Sequence, residues 1–259
     1  MASLRTDTTL ARATGVPVPS PQKASLSIIE VHRDRSGRRD ELSIPKTTRS
    51  RPVRLLGHVN GNYERLPAMH TTETALPEIK VLMPRRIGDM RGFFSEVWNA
   101  RDFAAVGIEA AFVQDNHIRN PLKGTLRGLH YQVPPTAQGK LVRVTRGAIF
   151  DVAVDIRRGS PSFGRHAAAV LTADNWYQLW IPPGYAHGYC TLEDDTEVQY
   201  KTTDFYSPAH DRGIAWHDPM LMITWPVTVE TAIVSERDRA LPRLSEQPDL
   251  FEYTEPEAL

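Results

Sequence analysis

Short apolar segments separated by Gly and Pro follow one another through the middle of this 259-residue chain. Their β-branched and aromatic content and their regular spacing favour an all-β sandwich or barrel over βαβ units. A short helix is expected from Ala100 to Val106, ended by Gly107. We predict strands in nine segments: 79–83, 92–97, 112–117, 124–132, 140–157, 164–171, 176–181, 187–191 and 196–205.

The clearest alternation of apolar and polar positions lies in residues 148–156. Apolar side chains at the even positions from Phe150 to Ile156 alternate with Asp151, Ala153 and Asp155. A period of two places the two sets on opposite faces of a strand. We therefore expect this strand to have one buried side.

Residues 1–72 contain scattered prolines and many arginines, with no sustained apolar period. This composition predicts a disordered or loosely attached extension. Residues 73–259 are predicted to form one β-domain, whose proline-containing C-terminal stretch wraps around it.

Charge and cysteine content narrow the class of protein. The 31 Lys and Arg balance the 31 Asp and Glu, so no overall charge favours nucleic acid or a membrane surface as partner. The single Cys190 excludes an internal disulfide and a Cys-based zinc site. Because there is neither a membrane-spanning nor a signal-peptide apolar stretch, we expect a cytoplasmic protein. The Arg-rich first thirty residues would also fit a transit peptide, although a disordered basic tail accounts for them equally.

The run Leu126–Gln132 carries Arg127 and His130 on one predicted strand, with Gly128 between them. In a regular strand, residues three apart point to opposite faces, so both can serve one site only if the backbone deviates. Glycine inside a strand is where bulges are commonest, and we expect one here. Taken alone, the motif still favours a satisfied core histidine and a solvated arginine.

A second run, residues 180–189, contains a Pro-Pro-Gly turn that delivers His187 into a new strand. It matches the second half of the motif common to cupin barrels, in which this histidine often binds a metal. The first half of that motif supplies His-x-His and a Glu, but here only His130 is present, followed by Tyr131 and Gln132. Because a metal would lack ligands, we favour a metal-free cupin.

A third run, residues 196–206, alternates so that Val198, Tyr200 and Thr202 share one face. Tyr200 is therefore expected to point into the barrel. An inward tyrosine usually belongs to the core, so the motif alone makes it a weak functional candidate.

Seven ordered segments together resemble the signature segments of the dTDP-4-dehydrorhamnose 3,5-epimerase family. The resemblance covers roughly residues 76–251, and the leading tail has no counterpart in it. It implies a double-stranded jelly-roll cupin that acts as a homodimer, without metal or other cofactor, on a dTDP-linked 4-keto-6-deoxyhexose. The segments are 88–96, 114–117, 126–132, 139–143, 151–157, 182–188 and 206–213.

The resemblance also implies roles for single residues. His130 corresponds to the general base and Tyr200 to the opposing acid, while Asp238 orients the base and Lys140 contacts the substrate. Because a developing enolate oxygen needs a cation, we expect Lys140 to stabilise it. Arg237 replaces the family's lysine next to Asp238. The implied substrate contacts are Arg91, Glu96, Gln114, Asn116, Arg127, His187, Arg237 and Asp211, the last standing where the family has a glutamate.

These residue types suit proton transfer next to a ketone. A base must reach the carbon-bound proton, and the developing enolate oxygen needs a cation or hydrogen-bond donor. Inversion requires that the proton returns on the opposite face, so a second donor must lie across the ring. The resemblance implies that this chemistry is inversion at C3 and C5 of dTDP-4-dehydro-6-deoxy-D-glucose to give dTDP-4-dehydro-L-rhamnose.

Three alternatives remain open at this stage. The chain could invert only C3 or only C5 of a related nucleotide sugar. A metal-dependent cupin isomerase or dioxygenase would lose activity on chelation. A non-catalytic sugar-nucleotide binding protein would bind without promoting deuterium uptake, but it would not need both His130 and Tyr200.

Overall fold

A computed structural model describes residues 69–255. Most of the predicted N-terminal extension, residues 1–68, lies outside this range. Its last residues, 69–72, belong to a strand, so the β-domain begins slightly before the predicted boundary at residue 73. No helix in the described range is long and apolar enough to cross a membrane.

The described chain is built almost entirely from strands. It also contains helices α1 (Ala100–Ala104) and α2 (Glu236–Arg239) and a 3-10 turn at Leu244–Glu246. The strands are β1 (Met69–Glu73), β2 (Lys80–Pro84), β3 (Arg86–Asp89), β4 (Gly92–Ser95), β5 (Gln114–Asn120), β6 (Leu126–Gln132), β7 (Lys140–Arg146), β8 (Ala148–Asp155), β9 (Arg157–Arg158), β10 (His166–Thr172), β11 (Gln178–Ile181), β12 (Tyr185–Thr191), β13 (Thr196–Thr202), β14 (Asp211–Gly213) and β15 (Phe251–Glu252).

Two antiparallel sheets form the body of the domain. The six-stranded sheet has the order β1-β2-β11-β7-β13-β5, and the five-stranded sheet has the order β10-β8-β12-β6-β14. Their facing sides share one apolar core, to which Val142 and Val198 contribute from the first sheet and Ile149 and Leu171 from the second. The all-β jelly-roll prediction is thus confirmed. Each of the nine predicted segments overlaps an observed strand, although segment 140–157 is divided into two main strands, β7 and β8.

The expectation that the strand at residues 148–156 has one buried side is wrong. All eight residues of β8 are buried. Asp151 and Ala153 face the barrel interior as part of the alternation, but the opposite face, with Phe150 and Val152, is covered by residues of the C-terminal segment such as Leu221. The period predicted the two faces, but it carried no information about the distant segment that covers the second one.

Helix α1 confirms the predicted helix and closes the outer face of the six-stranded sheet. The side chain of Asn99 accepts hydrogen bonds from the backbone N–H groups of the first turn. The chain leaves the helix at Gly107, which has a positive φ of 76°. Phe103 packs on the sheet beside Leu141 and Trp180, so this face of the sheet is apolar and sealed by the helix.

Candidate active site

A cavity of about 600 Å³ opens between the two sheets. The five-stranded sheet contributes His130 and His187 to its wall, and the six-stranded sheet contributes Lys140 and Tyr200. Asp238 reaches the same cavity from helix α2. With Arg127, Asp211 and Arg237, eight of the twelve predicted site residues therefore line one cavity, although they span more than one hundred positions in the sequence.

The expected bulge in β6 brings Arg127 and His130 to the same cavity. His187 of β12 pairs with His130, whereas Tyr189 pairs with Arg127, so one extra residue of β6 lies between the two pairs. Gly128 sits in this bulge with a φ of 108°, and the peptide bond that follows it is cis. A Cβ at this position would lie 2.6 Å from the carbonyl oxygen of His187, so only glycine fits.

His130 and Asp238 form a hydrogen-bonded pair. Nε2 of His130 lies 2.8 Å from Oδ1 of Asp238, and the N–H of Gly128 donates to Oδ2 at 3.0 Å. The His130 side chain is 30% exposed to the cavity, against 5% for Asp238. A carboxylate that accepts from Nε2–H fixes the tautomer and leaves Nδ1 with a lone pair, the form required of a base.

The short helix α2 holds Asp238 in its ionised state. Its N-cap Ser235 accepts a hydrogen bond from the backbone N–H of Asp238 at 3.1 Å. Burial opposes ionisation, but the hydrogen bond and charge of His130, the N–H of Gly128 and the charge of Arg237 outweigh it, so the pKa of Asp238 is lowered. The imidazole therefore faces a carboxylate rather than a carboxylic acid at neutral pH.

Lys140 is a buried cation beside the base. Its Nζ donates to the carbonyl oxygen of His130 at 3.2 Å, and the residue is only 9% exposed. Burial lowers the pKa of Lys140 to about 8, against the opposing charges of Asp211 and Asp151. Its charge is thus present at neutral pH but is lost within the range in which enzymes are assayed.

A second histidine–carboxylate pair lines the cavity. Nε2 of His187 lies 2.6 Å from Oδ1 of Asp151, which is fully buried. Burial lowers the pKa of His187 despite the nearby carboxylate. The neutral ring donates Nε2–H to Asp151 and keeps Nδ1 as a hydrogen-bond acceptor, which suits contact with a sugar hydroxyl.

Tyr200 points inward, as its alternation predicted, and packs against the shared apolar core. Burial raises its pKa, and the nearby charge of Arg127 only partly offsets this effect. The phenol therefore keeps its proton at neutral pH, so Tyr200 is available as a hydrogen-bond donor or acid.

A polar cluster forms another part of the cavity wall. Asp211 accepts a hydrogen bond from the hydroxyl of Tyr206 at 3.0 Å and from Arg237 at 2.6 Å. The backbone N–H of Tyr206 donates to Oε1 of Gln114, which places this predicted ligand next to the cluster. Gln114 in turn donates to Asn116, which borders a smaller cavity of about 250 Å³.

Four predicted substrate ligands are absent from the wall of this cavity: Gln114 and Asn116, described above, and Arg91 and Glu96. Arg91 is in the turn of the hairpin formed by β3 and β4, where its side chain is 85% exposed and pairs with Asp89. Glu96 follows β4, and neither residue belongs to the cavity wall. This hairpin also leaves large apolar side chains in solvent: Ile87, Met90, Phe93 and Phe94.

Sequence reasoning missed several residues that shape the cavity. Asp151 was read only as the polar side of a strand, although it pairs with His187. Tyr189 and Tyr206 line the wall, and Asn120 binds Arg127 from behind it. The alternation of β12 could have placed Tyr189 on the inner face with His187, because the two residues are two positions apart.

The described residues offer little to a metal ion. Between residues 69 and 255, no group of three or more His, Cys, Asp or Glu side chains is arranged to hold one. Both cavity histidines direct Nε2 to a carboxylate instead, His130 to Asp238 and His187 to Asp151.

Comparison with known proteins agrees with this geometry. The family model for dTDP-4-dehydrorhamnose 3,5-epimerase matches residues 73–246. A dTDP-4-dehydrorhamnose 3,5-epimerase from Sinorhizobium fredii is 47% identical over 73% of this chain and 96% of its own length. One from Pseudomonas aeruginosa is 52% identical over 66% of this chain and 93% of its own.

Solved structures give the same result. A dTDP-6-deoxy-D-glucose-3,5-epimerase from Legionella pneumophila, in complex with dTDP-4-keto-L-rhamnose, matches with a TM-score of 0.68 and 43% identity over 72% of this chain and 99% of its own. A 3'-monoepimerase from Streptomyces bikiniensis, in complex with dTDP-quinovose, also matches, with a TM-score of 0.62 and 31% identity over 67% of this chain and 87% of its own.

The fold and the cavity therefore define a jelly-roll sugar epimerase of the cupin type, which is an isomerase. The chain belongs to the dTDP-4-dehydrorhamnose 3,5-epimerase family.

Proposed function

We propose that this chain inverts C3 and C5 of dTDP-4-dehydro-6-deoxy-D-glucose to give dTDP-4-dehydro-L-rhamnose. One observation carries the proposal: His130 and Tyr200 line a single cavity from two opposing sheets. A hexose bound between the sheets would then have a base on one face and an acid on the other. The sequence identity to relatives named for this activity supports the same substrate.

The first step removes a proton from the carbon next to the 4-keto group. Nδ1 of His130 takes the proton, and the electrons of the C–H bond form a C=C bond while the carbonyl oxygen becomes an enolate. Asp238 stabilises the imidazolium that results, through the 2.8 Å contact with Nε2. The positive Lys140, held against the His130 carbonyl group, lowers the energy of the enolate oxygen.

The second step returns a proton on the opposite face. The phenol of Tyr200 gives its proton to the same carbon, the C=C electrons form the new C–H bond, and the ketone is restored. Tyr200 is left as a phenolate and His130 as an imidazolium, and solvent exchange resets both. Because C3 and C5 both neighbour C4, the same pair can act on each after a shift of the ring.

The narrower alternative is inversion at one carbon only. The Streptomyces bikiniensis relative is a 3'-monoepimerase with the same fold, so the fold alone does not distinguish the two activities. The test is incubation with dTDP-4-keto-6-deoxyglucose in deuterium oxide, followed by NMR. We expect deuterium at both C3 and C5, and exchange at one carbon alone would replace the proposal with a monoepimerase.

The matched variants are His130→Ala and His217→Ala. His217 is an exposed histidine that contacts Trp216 edge to face and is absent from the cavity wall. His130→Ala should exchange at neither carbon, whereas His217→Ala should behave as wild type. Binding of dTDP without exchange by wild type would indicate a sugar-nucleotide binding protein, and activity abolished by a chelator would indicate a metal-dependent enzyme.

We further propose a homodimer in which the hairpin of one subunit reaches the cavity of the other. The exposed apolar side chains of the hairpin, among them Met90 and Phe94, would be buried by a second copy. Dimerisation would also bring Arg91 and Glu96, which lie outside their own cavity, to a substrate. Within the described residues, β5 at the edge of the six-stranded sheet pairs on one side only, which leaves room for such an approach.

Mixing two inactive variants tests this arrangement. In a mixed dimer of Arg91→Ala and His130→Ala, the first subunit keeps His130 and receives Arg91 from its partner. If the hairpin is shared, mixing restores activity toward one quarter of wild type, because one of four sites in a statistical mixture is complete. If each subunit uses its own Arg91, mixing restores nothing. Light scattering gives the oligomeric state independently.

We propose that the protein works in the cytoplasm. Its single cysteine, Cys190, is a buried free thiol, which is typical of reducing compartments. Fractionation of the native cells with antibody detection tests the assignment, which recovery in a secreted or membrane fraction would contradict.

A further inference from the structure

A buried amide holds Arg127 in the cavity wall. Nε of Arg127 donates to Oδ1 of Asn120 at 2.9 Å, and Asn120, the last residue of β5, is fully buried. Nδ2 of Asn120 donates to the carbonyl oxygen of Thr196 at 3.2 Å, which determines that the amide oxygen faces Arg127. The hydroxyl of Tyr189 donates to the same oxygen at 3.4 Å. The amide is therefore locked in one orientation.

Arg237, the other arginine that lines the cavity, has a carboxylate partner, whereas Arg127 has none among the described residues. Arg237 pairs with the carboxylate of Asp211 at 2.6 Å. In the described part of the chain, no carboxylate lies within salt-bridge distance of Arg127, and its terminal Nη groups make no hydrogen bond there. The positive charge of Arg127 is therefore not compensated by a carboxylate, and both of its terminal NH₂ groups can donate to a ligand.

A neutral acceptor can orient the guanidinium of Arg127 and leave its charge uncompensated, whereas a carboxylate could not. The amide oxygen of Asn120 directs the guanidinium through Nε without cancelling its charge. A carboxylate at the same place would bind more strongly but would pair with the cation, and its burial would be costly. The planar fork of terminal N–H groups that remains matches the geometry of phosphate oxygens.

We propose that Asn120 is a positioning residue that holds Arg127 as an uncompensated cation for the diphosphate of the substrate. This inference rests on the proposed function, which supplies a nucleoside diphosphate sugar. The neutrality of Asn120 matters as much as its hydrogen bond. Tyr189 supports it in a minor way: burial raises the pKa of Tyr189 to about 12, so its hydroxyl stays protonated and continues to donate.

The test is Asn120→Asp, which keeps the size of the side chain and the acceptor for Arg127, adds a negative charge and removes the Nδ2 donor to Thr196; the loss of this donor is the same in the Arg127→Gln background described below. The probe is dTDP, with affinity measured by calorimetry at two salt concentrations and activity by steady-state kinetics. We expect dTDP affinity to fall about tenfold or more and KM to rise in parallel, with kcat changing less than about threefold. In an Arg127→Gln background, Asn120→Asp should change dTDP affinity less than about twofold.

The matched control is Asn99→Asp, the same chemical change at the N-cap of α1, where aspartate is equally suitable. If Asn120→Asp does not fold, Asn120→Ala removes the acceptor without adding charge, and the same dependence on Arg127 is expected. Unchanged dTDP affinity, or an equal loss in the Arg127→Gln background, would overturn the proposal. Failure of the proposed function is separate, because wild type would then exchange deuterium at one carbon only or at neither, whatever its affinity for dTDP.

Discussion

Asp238→Asn removes one charge from the site with almost no change in volume. The wild-type carboxylate accepts two hydrogen bonds, from Nε2 of His130 at 2.8 Å and from the N–H of Gly128 at 3.0 Å. An asparagine has one oxygen and one NH₂ group. If its oxygen faces His130, the NH₂ group meets the Gly128 N–H; if it is turned around, the NH₂ group meets His130 and selects the wrong tautomer. The first orientation leaves a buried donor unsatisfied, and the second leaves Nδ1 protonated and so removes the lone pair that the base needs.

The size of the effect follows from these two contacts. A lost charge-assisted hydrogen bond and an unsatisfied buried donor each cost roughly 1 to 3 kcal/mol. The loss of the tautomer and of the carboxylate that stabilises imidazolium lowers kcat by about 10² to 10⁴ in comparable histidine–carboxylate pairs. We therefore expect Asp238→Asn to lose about 10² to 10⁴ in the rate of deuterium exchange, while dTDP affinity changes little because the pair lies at the reacting carbon.

The assay is deuterium incorporation at C3 and C5, measured with dTDP affinity and thermal unfolding on the same preparation. The control is Glu236→Gln, which removes a carboxylate from the same helix at an exposed position outside the cavity wall. Exchange by Asp238→Asn within about threefold of wild type would refute the role of the carboxylate, because the loss expected from the tautomer alone is far larger. A parallel loss of dTDP binding would indicate a collapsed site instead.

Stability provides a further check on Asp238. The pKa of Asp238 is lowered in the folded chain, so its ionisation stabilises the fold above the pKa of the unfolded chain, about 4. This stabilisation is lost as pH falls through the pKa of the folded chain. The free energy of unfolding of wild type should therefore exceed that of Asp238→Asn at pH 7. The difference should shrink below about pH 4.

Three shorter predictions concern other residues of the site. Tyr200→Phe should retain solvent exchange on the His130 face but lose inversion by about 10² or more, measured by NMR of the recovered sugar; full inversion would exclude Tyr200 as the acid. The pH profile of kcat/KM should fall above about pH 8 as Lys140 loses its proton, and Lys140→Arg should move this limb upward; an unmoved limb would assign it to another group. Gly128→Ala should destabilise the fold by roughly 2 to 6 kcal/mol in urea unfolding, from backbone strain and the clash with His187, and a smaller loss would show that the bulge can relax.

The sequence was most informative where geometry is local. The period of two placed Tyr200 on the inner face of its strand, and the glycine between Arg127 and His130 indicated the bulge that unites them. Both inferences depend only on the pleat of a strand and on the conformational freedom of glycine at Gly128. They required no knowledge of which strands are neighbours.

Local patterns were uninformative where the partner is remote. Asp151 alternates with apolar residues as a solvent-facing side chain would, yet it is buried in the barrel interior, where His187 on the adjacent strand pairs with it. Asn120 ends its strand next to a proline and resembles a turn residue, but it binds Arg127. The alternation of side chains along a strand separates its two faces, but it does not indicate which distant residues pack against each face.

In the proposed mechanism, four side chains of the cavity divide the chemistry according to the hydrogen-bond donor or acceptor that each still has available. His187 donates Nε2–H to Asp151 and so presents an acceptor, which cannot stabilise an enolate oxygen. Tyr200 must keep its proton for the opposite face, and His130 must receive one. Of these four side chains, Lys140 is the remaining donor. Its Nζ is hydrogen-bonded to the backbone carbonyl oxygen of His130, so the cation is attached to the residue that carries the base. Because that bond keeps the enolate partner at a constant distance from the base, a ring that shifts to present C5 after C3 meets the same base and the same cation.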